Sequence, residues 1–247
     1  MSYHWLLPLL LYMDFGGTKF YSFKTENCFS RTSGSQITRF NRVYHGNELY
    51  DVEVETIKSQ FGTLPFTWII EVHDKKAAHI LEKHGFIQFH EPFYGMSADI
   101  RNIDEMIYAP YITIKEIHEK SDREKLIDII ARSNSINDKE ELTKAINDLL
   151  VKGFPFIKLY LGFYNQELCA ASIFIYHEDA VTLHMVSTLP EYRCKGIGFA
   201  ITHTGLLDAS RKGITKAFLM SSLMGQSLYR KIGFEEYTHY YVYIYKQ

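Results

Sequence analysis

From Tyr111 onward the hydrophobic positions switch between two periods. The segment "YITIKEIH" (111–118) alternates residue by residue, as a half-buried strand does, whereas "REKLIDIIARS" (123–133) and "KEELTKAINDLLVK" (139–152) repeat at three- and four-residue spacing and predict amphipathic helices. The run "FIKLYLGFYNQELCAASIFIYHEDAVTLHMVSTL" (156–189) is rich in β-branched and aromatic residues. It breaks at Asn165-Gln166 and again at His177 to Asp179, so it reads as three antiparallel strands joined by hairpin turns. After the glycine-containing stretch "EYRCKGIG", "FAITHTGLLDASRKG" predicts a helix closed by Gly213, "TKAFLMSS" a strand, "GQSLYRKIGF" a short helix and "YTHYYVYIYKQ" a closing strand. The predicted order is β-α-α-β-β-β-α-β-α-β. Before residue 110, "NELYDVEVETIKSQF" reads as a helix and "LPFTWIIEV" as a strand.

Composition narrows the class of protein. With 46% hydrophobic and 23% charged residues in 247, the chain suits one large or two small globular domains. Split at Pro110, Lys plus Arg against Asp plus Glu run 10 to 13 and then 17 to 16. Neither half is a basic block, which argues against nucleic acid as a partner. The cysteines Cys28, Cys169 and Cys194 are odd in number and scattered, without zinc-ligand spacing, so they read as reduced thiols of a cytoplasmic protein and no metal is expected. The apolar stretch "WLLPLLLYM" (5–13) is interrupted by Pro8 and far shorter than the ~20 residues of a membrane span, so a buried first element is expected there and no membrane partner.

The chemistry gathers at "EYRCKGIGFA" (191–200). A strand that turns into a helix leaves the first backbone N–H groups without intrahelical partners, at the positive end of the dipole. Gly196 and Gly198 remove side chains from that spot, and Arg193 and Lys195 add positive charge around it. Such a place receives phosphate. The hexamer by itself is short, and a glycine-softened helix start accounts for it equally well.

In context the chain resembles the GNAT acyltransferase superfamily, whose signature is Gln/Arg-x-x-Gly-x-Gly/Ala after the fourth strand, followed some ~30 residues later by Leu-Tyr-x-x-x-Gly-Phe. Here Arg193, Gly196 and Gly198 supply the first motif and Leu228, Tyr229, Gly233 and Phe234 the second. The resemblance covers roughly residues 111 to 247. It implies an N-acetyltransferase that moves acetyl from acetyl-CoA directly to a primary amine. Pantetheine amides would pair with the backbone around Val186, Ser187 and Thr188, and pyrophosphate would rest on the amides of Arg193, Cys194, Lys195, Gly196, Ile197 and Gly198. Tyr229 would protonate the departing thiolate. Cys194 stands where the family usually has a second glycine, and Ser222 where many relatives carry Asn. For the general base, His184, Glu191, His177 and Glu178 lie near the strand end or in the turn before it, but a structural histidine or solvated glutamate accounts for each.

The first half echoes the second. "AAHILEKHGFIQFHEPFYGMSADI" (77–100) repeats a short helix, Gly-Phe and an aromatic strand, with Leu81 standing where Tyr229 stands. It carries no RxxGxG, and its Phe40-Asn41-Arg42-Val43 and Pro65-Phe66-Thr67-Trp68 resemble the degenerate half of bacterial two-repeat members. The expected fold class is mixed α/β (α+β): two tandem GNAT-like domains, 1–105 degenerate and 106–247 catalytic, each a mostly antiparallel sheet flanked by helices. The first domain is either scaffold or a wall of the acceptor site, through Asn41, Tyr44 or Trp68. A non-catalytic acyl-CoA-binding or regulatory protein is the alternative to the enzyme, since fold does not fix activity. An aminoacyl-tRNA-dependent reaction is disfavoured by the near-neutral charge.

Overall fold

The computed structural model describes Thr25 and residues 27–46, 48–153 and 156–246; the apolar stretch at 5–13 lies outside them. The chain divides into two compact units, residues 1–95, 220–224 and 236–247 in the first and 96–219 and 225–235 in the second. The units are interleaved rather than separated by one cut at 105/106.

In the first unit, β1 (Cys28–Arg31) pairs antiparallel with β2 (Arg42–His45), which lies parallel to β3 (Phe66–Glu71). The strand that completes this sheet is the last of the chain. β11 (Glu235–Tyr245) runs antiparallel to β3, Tyr240 opposite Glu71 and Tyr245 opposite Phe66, and also takes the short β4 (Ile87–Gln88). Sequence reading assigned this closing strand to the second domain. Alternation fixes the faces of a strand but not the neighbour to which its backbone bonds.

One face of this sheet packs Val43, Phe66, Trp68, Ile70 and Tyr243 against α1 (Asp51–Phe61) and α2 (Lys75–Lys83) through Val54, Ile57, Phe61, Ala77 and Leu81. Polar links tie the elements together. Asp74 caps α2, accepting the Ala77 N–H at 2.9 Å, and its other oxygen lies 2.9 Å from His45 Nε2. Trp68 Nε1 donates to His45 Nδ1 at 3.2 Å, so the Nε2 proton is the one given to Asp74. Asn41 is fully buried. It accepts from Thr32 Oγ1 and donates to the carbonyls of Ser35 and Pro65, each at 2.7 Å. Asn41 and Trp68 therefore hold the fold; neither lines a surface, and Tyr44 is only 1% exposed.

The second unit follows the predicted order. β6 (Ile112–Ile117), β7 (Ile157–Tyr164), β8 (Glu167–His177) and β9 (Ala180–Thr188) form an antiparallel meander, and β10 (Lys216–Ser221) joins β9 in parallel. Asn165 and Gln166, both with positive φ, make the expected tight turn between β7 and β8. Helices α3 (Lys120–Ser133) and α4 (Lys139–Gly153) precede the meander, and α5 (Ile197–Arg211) and α6 (Leu223–Ile232) flank β10 in sequence. Directly opposed strand residues share a face. Gly162 and Ala170 oppose each other, and a Cβ at Gly162 would stand 3.3 Å from Ile197, which puts this face under α5. Ala171 and Ile173 point to the other face, where α3 packs against β8 and β9.

The helix–Gly–Phe segments of the two halves close with one turn geometry. Phe86 N–H bonds the Leu81 carbonyl at 3.1 Å, as Phe234 N–H bonds that of Tyr229 at 3.0 Å. Leu81 is fully buried in the core, so that position offers no phenol and no access.

Candidate functional site

The site begins where two strands part. β9 and β10 are paired only over Ala180–Thr182 and Lys216–Phe218; beyond Thr182, β9 runs on to Thr188 with no β10 partner among the described residues. A parallel pair that splays leaves a strand edge whose N–H and C=O groups can receive another extended chain.

β9 is also bulged here. His184 opposes Ile173 and Ser187 opposes Ala171, so three steps on β9 match two on β8, and Met185 sits in the left-handed region at φ 50°. That conformation costs a non-glycine residue about 1–2 kcal/mol and re-aims the strand beyond it. As a result His184 and Ser187, three apart, face the same side, toward α3. The Ser187 hydroxyl accepts from Asn134 Nδ2 at 3.0 Å, just past the end of α3. Thr188 faces α5. The sequence carries one trace of this bulge, the adjacent apolar pair Met185-Val186 that breaks the alternation of Val181, Leu183 and Met185; Asn134 left no signal.

After β9 the chain turns through a short 3₁₀ segment (Pro190–Tyr192) into α5. Gly196 is the N-cap, at φ 83° and with no side chain capping the helix, and Cys194 is left-handed as well at φ 60°. Among the described residues nothing accepts from the N–H groups of Cys194, Lys195, Gly196, Ile197 or Gly198. The Arg193 N–H differs from these, since it bonds the Pro190 carbonyl at 3.2 Å. The cradle therefore starts one residue later than the sequence suggests. At Gly198 a Cβ would stand 2.9 Å from Leu228 Cδ1 and 3.6 Å from Thr188 Oγ1, so α6 packs beside the first turn of α5 with no room for a side chain.

The two cations have different tasks from those read in the sequence. The Arg193 guanidinium donates to the carbonyls of Thr188 at 3.2 Å and Ser133 at 3.1 Å, tying the loop to the end of β9 and to α3. Lys195 is exposed, its ammonium 5.3 Å from the Tyr164 ring and 5.1 Å from the Tyr192 ring. Glu191 pairs with Arg132 at 3.6 Å and is largely solvated.

Tyr229 lies on α6, its ring edge-on to Phe234 at 5.8 Å between centroids. Burial pushes its phenol well above the usual tyrosine value, so it carries its proton throughout the physiological range. No described residue hydrogen-bonds that hydroxyl. Ser222 is exposed and belongs to the first unit, whereas Val186 to Thr188, Cys194 to Gly198 and Tyr229 all belong to the second. No group of three or more His, Cys, Asp or Glu able to hold a metal stands together among the described residues, and no described helix is long and apolar enough to cross a membrane.

Residues 158–236 match the acetyltransferase (GNAT) domain family. No curated protein matches the sequence. Among solved structures, a GCN5-related N-acetyltransferase from Kribbella flavida is 15% identical, with 99% of this chain and 95% of that one covered and a TM-score of 0.71. One from Sphaerobacter thermophilus is 13% identical over 89% of this chain and 76% of the other, with a TM-score of 0.65. A tandem GNAT protein from the clavulanic acid biosynthesis pathway is 9% identical over 83% and 74%, with a TM-score of 0.56. At these identities the structures establish the shared fold.

Proposed function

We propose, on the premise that residues 158–236 form a GNAT acetyltransferase domain, that the protein transfers acetyl from acetyl-CoA to a primary amine. The observation that carries this reading is the row of partnerless amides from Cys194 to Gly198 at the start of α5, beside a strand edge that β10 has left. Five inward-facing N–H groups with two glycines among them suit a pyrophosphate, and the open edge at Val186 to Thr188 suits the amides of pantetheine.

In the proposed reaction the amine nitrogen attacks the thioester carbonyl and the C–S bond breaks, with no covalent enzyme intermediate. The chain supplies orientation and proton handling. A backbone N–H re-aimed by the bulge at Met185 is suitably placed on the open edge to polarise the carbonyl. Tyr229 gives its proton to the departing thiolate. A phenol that burial keeps protonated is ready for that role without being recharged.

The test pairs binding with turnover. Calorimetric titration is expected to give saturable acetyl-CoA binding, and free-thiol release over a panel of alkylamines, polyamines, aminoglycosides, amino acids and peptides is expected to rise with at least one of them. Binding without amine-dependent thiol release from any member would instead identify a non-catalytic acyl-CoA-binding protein.

A further inference from the structure

Transfer from an amine needs a base as well as an acid, because at neutral pH an alkylamine arrives as an ammonium with no lone pair to attack with. We propose that His184 is that base, an assignment that rests on the acyl-transfer reading above.

The tautomer follows from a short chain of hydrogen bonds. The Thr182 hydroxyl donates to the Ile175 carbonyl at 3.4 Å, and a carbonyl can only accept. Thr182 Oγ1 is therefore the acceptor toward His184 Nε2, 3.1 Å away, and the imidazole proton sits on Nε2. Nδ1 is left as the basic nitrogen. Thr182 is buried, 4% exposed, and anchored in the β8–β9 ladder opposite Ile175, so it orients the half-buried ring from a rigid element.

Position supports the role. His184 is the last residue in register before the bulge and lies two residues beyond the point where β10 leaves β9, so it borders the open edge. Its face is the α3 face, shared with Ser187 and Asn134. Tyr229 lies on α6, which packs against α5 through Leu228 and Gly198 on the opposite face. Acid and base thus flank the opening from its two sides, as a reaction needs when amine and thiolate occupy different sides of the carbonyl. The other imidazoles described in the second unit are unsuited: His118 has a side chain 75% exposed, and His203 is buried in a bonded cluster.

The proton account closes. His184 Nδ1 takes one proton from the ammonium and passes it to solvent. The neutral nitrogen then forms the C–N bond as the C–S bond breaks, the thiolate takes the Tyr229 proton, and the second proton lost by nitrogen restores the phenol by way of solvent.

The experiment compares two kinds of acceptor in wild type, His184→Gln, Thr182→Val and Thr182→Ser: the best alkylamine of the panel, and hydrazine or an arylamine, which is already neutral at the assay pH. In His184→Gln, kcat/KM for the alkylamine is expected to fall ~10²-fold or more at neutral pH and to recover as pH rises toward the pKa of the amine itself. The neutral amine is expected to lose no more than a few-fold. Thr182→Val, which leaves the ring unoriented, is expected to show a weaker version of the same selectivity, and Thr182→Ser to restore it. Equal losses for both acceptors, or none for either, would overturn the assignment while leaving the transferase reading in place. If the wild type acetylates no amine, the transferase reading fails and the base assignment fails with it.

Discussion

The Tyr108 hydroxyl lies 2.8 Å from His203 Nδ1 and also receives the Thr204 hydroxyl at 3.2 Å, so it donates to the imidazole. His203 is 3% exposed on α5, stacked on Phe199, and its other nitrogen bonds the Asp104 backbone. These contacts latch the segment 101–110 onto α5. Burial holds the His203 pKa below its ordinary value of 6.5. A depressed folded-state pKa means that the unfolded chain binds the proton first, so this contribution to stability is whole above about pH 6.5 and is lost as pH falls through the folded value. Thermal melts at pH 7.5 and 5.5 are expected to show a lower Tm at the acid pH, with the gap narrowed in His203→Gln. An unchanged gap would mean that the latch does not titrate.

Gly196→Asp separates charge from fold at the cradle. Asp tolerates a left-handed backbone better than most residues, and the nearest atom to an added Cβ is Ile112 Cδ1 at 3.6 Å. The melt is expected to stay near that of wild type while acetyl-CoA affinity falls at least tenfold, about 1.4 kcal/mol. A folded variant with unchanged affinity would place the pyrophosphate elsewhere.

Tyr229→Phe removes only the hydroxyl, which no described residue engages. With the best amine, kcat is expected to drop ~10²-fold while the acetyl-CoA Kd stays within a few-fold. Acyl donors with a more acidic leaving thiol are expected to lose less. The same loss for every leaving group would make Tyr229 a positioning residue.

Asn41→Ala tests whether the first unit acts as scaffold there. Three buried hydrogen bonds depend on this side chain, so stability is expected to fall by about 2–4 kcal/mol with acetyl-CoA affinity unchanged. A soluble, normally stable variant with altered amine KM would instead make Asn41 a substrate contact.

The interleaving of the units forbids a simple cut. A fragment ending at residue 105 lacks β11 and leaves the β3 edge, from Phe66 to Glu71, without its ladder partner. It is expected to show no cooperative melt, and the same fragment fused through a flexible linker to residues 235–247 to regain one. A cooperative melt of the short fragment alone would make β11 dispensable to the first unit.

Much of this was legible from residue order alone. The period changes along 111–247 located every strand and helix of the second half, and the Asn165-Gln166 turn and the Gly213 helix end lie where local chemistry put them, because turns and caps are decided by the few residues that form them. The phosphate cradle was readable for the same reason: Gly196 and Gly198 are needed by the local backbone and by the helix beside it. Relationships across the fold were not readable. Nothing in an alternating strand says which backbone it will bond, so the pairing of β11 with β3 was decided by the folded chain. The Arg193 guanidinium turned from the expected anion site to two carbonyls 60 and 5 residues away, because carbonyls brought near by folding compete for the same donors. The orientation of His184 likewise arose only when β8 placed the Ile175 carbonyl beside Thr182 and so fixed which nitrogen keeps the proton.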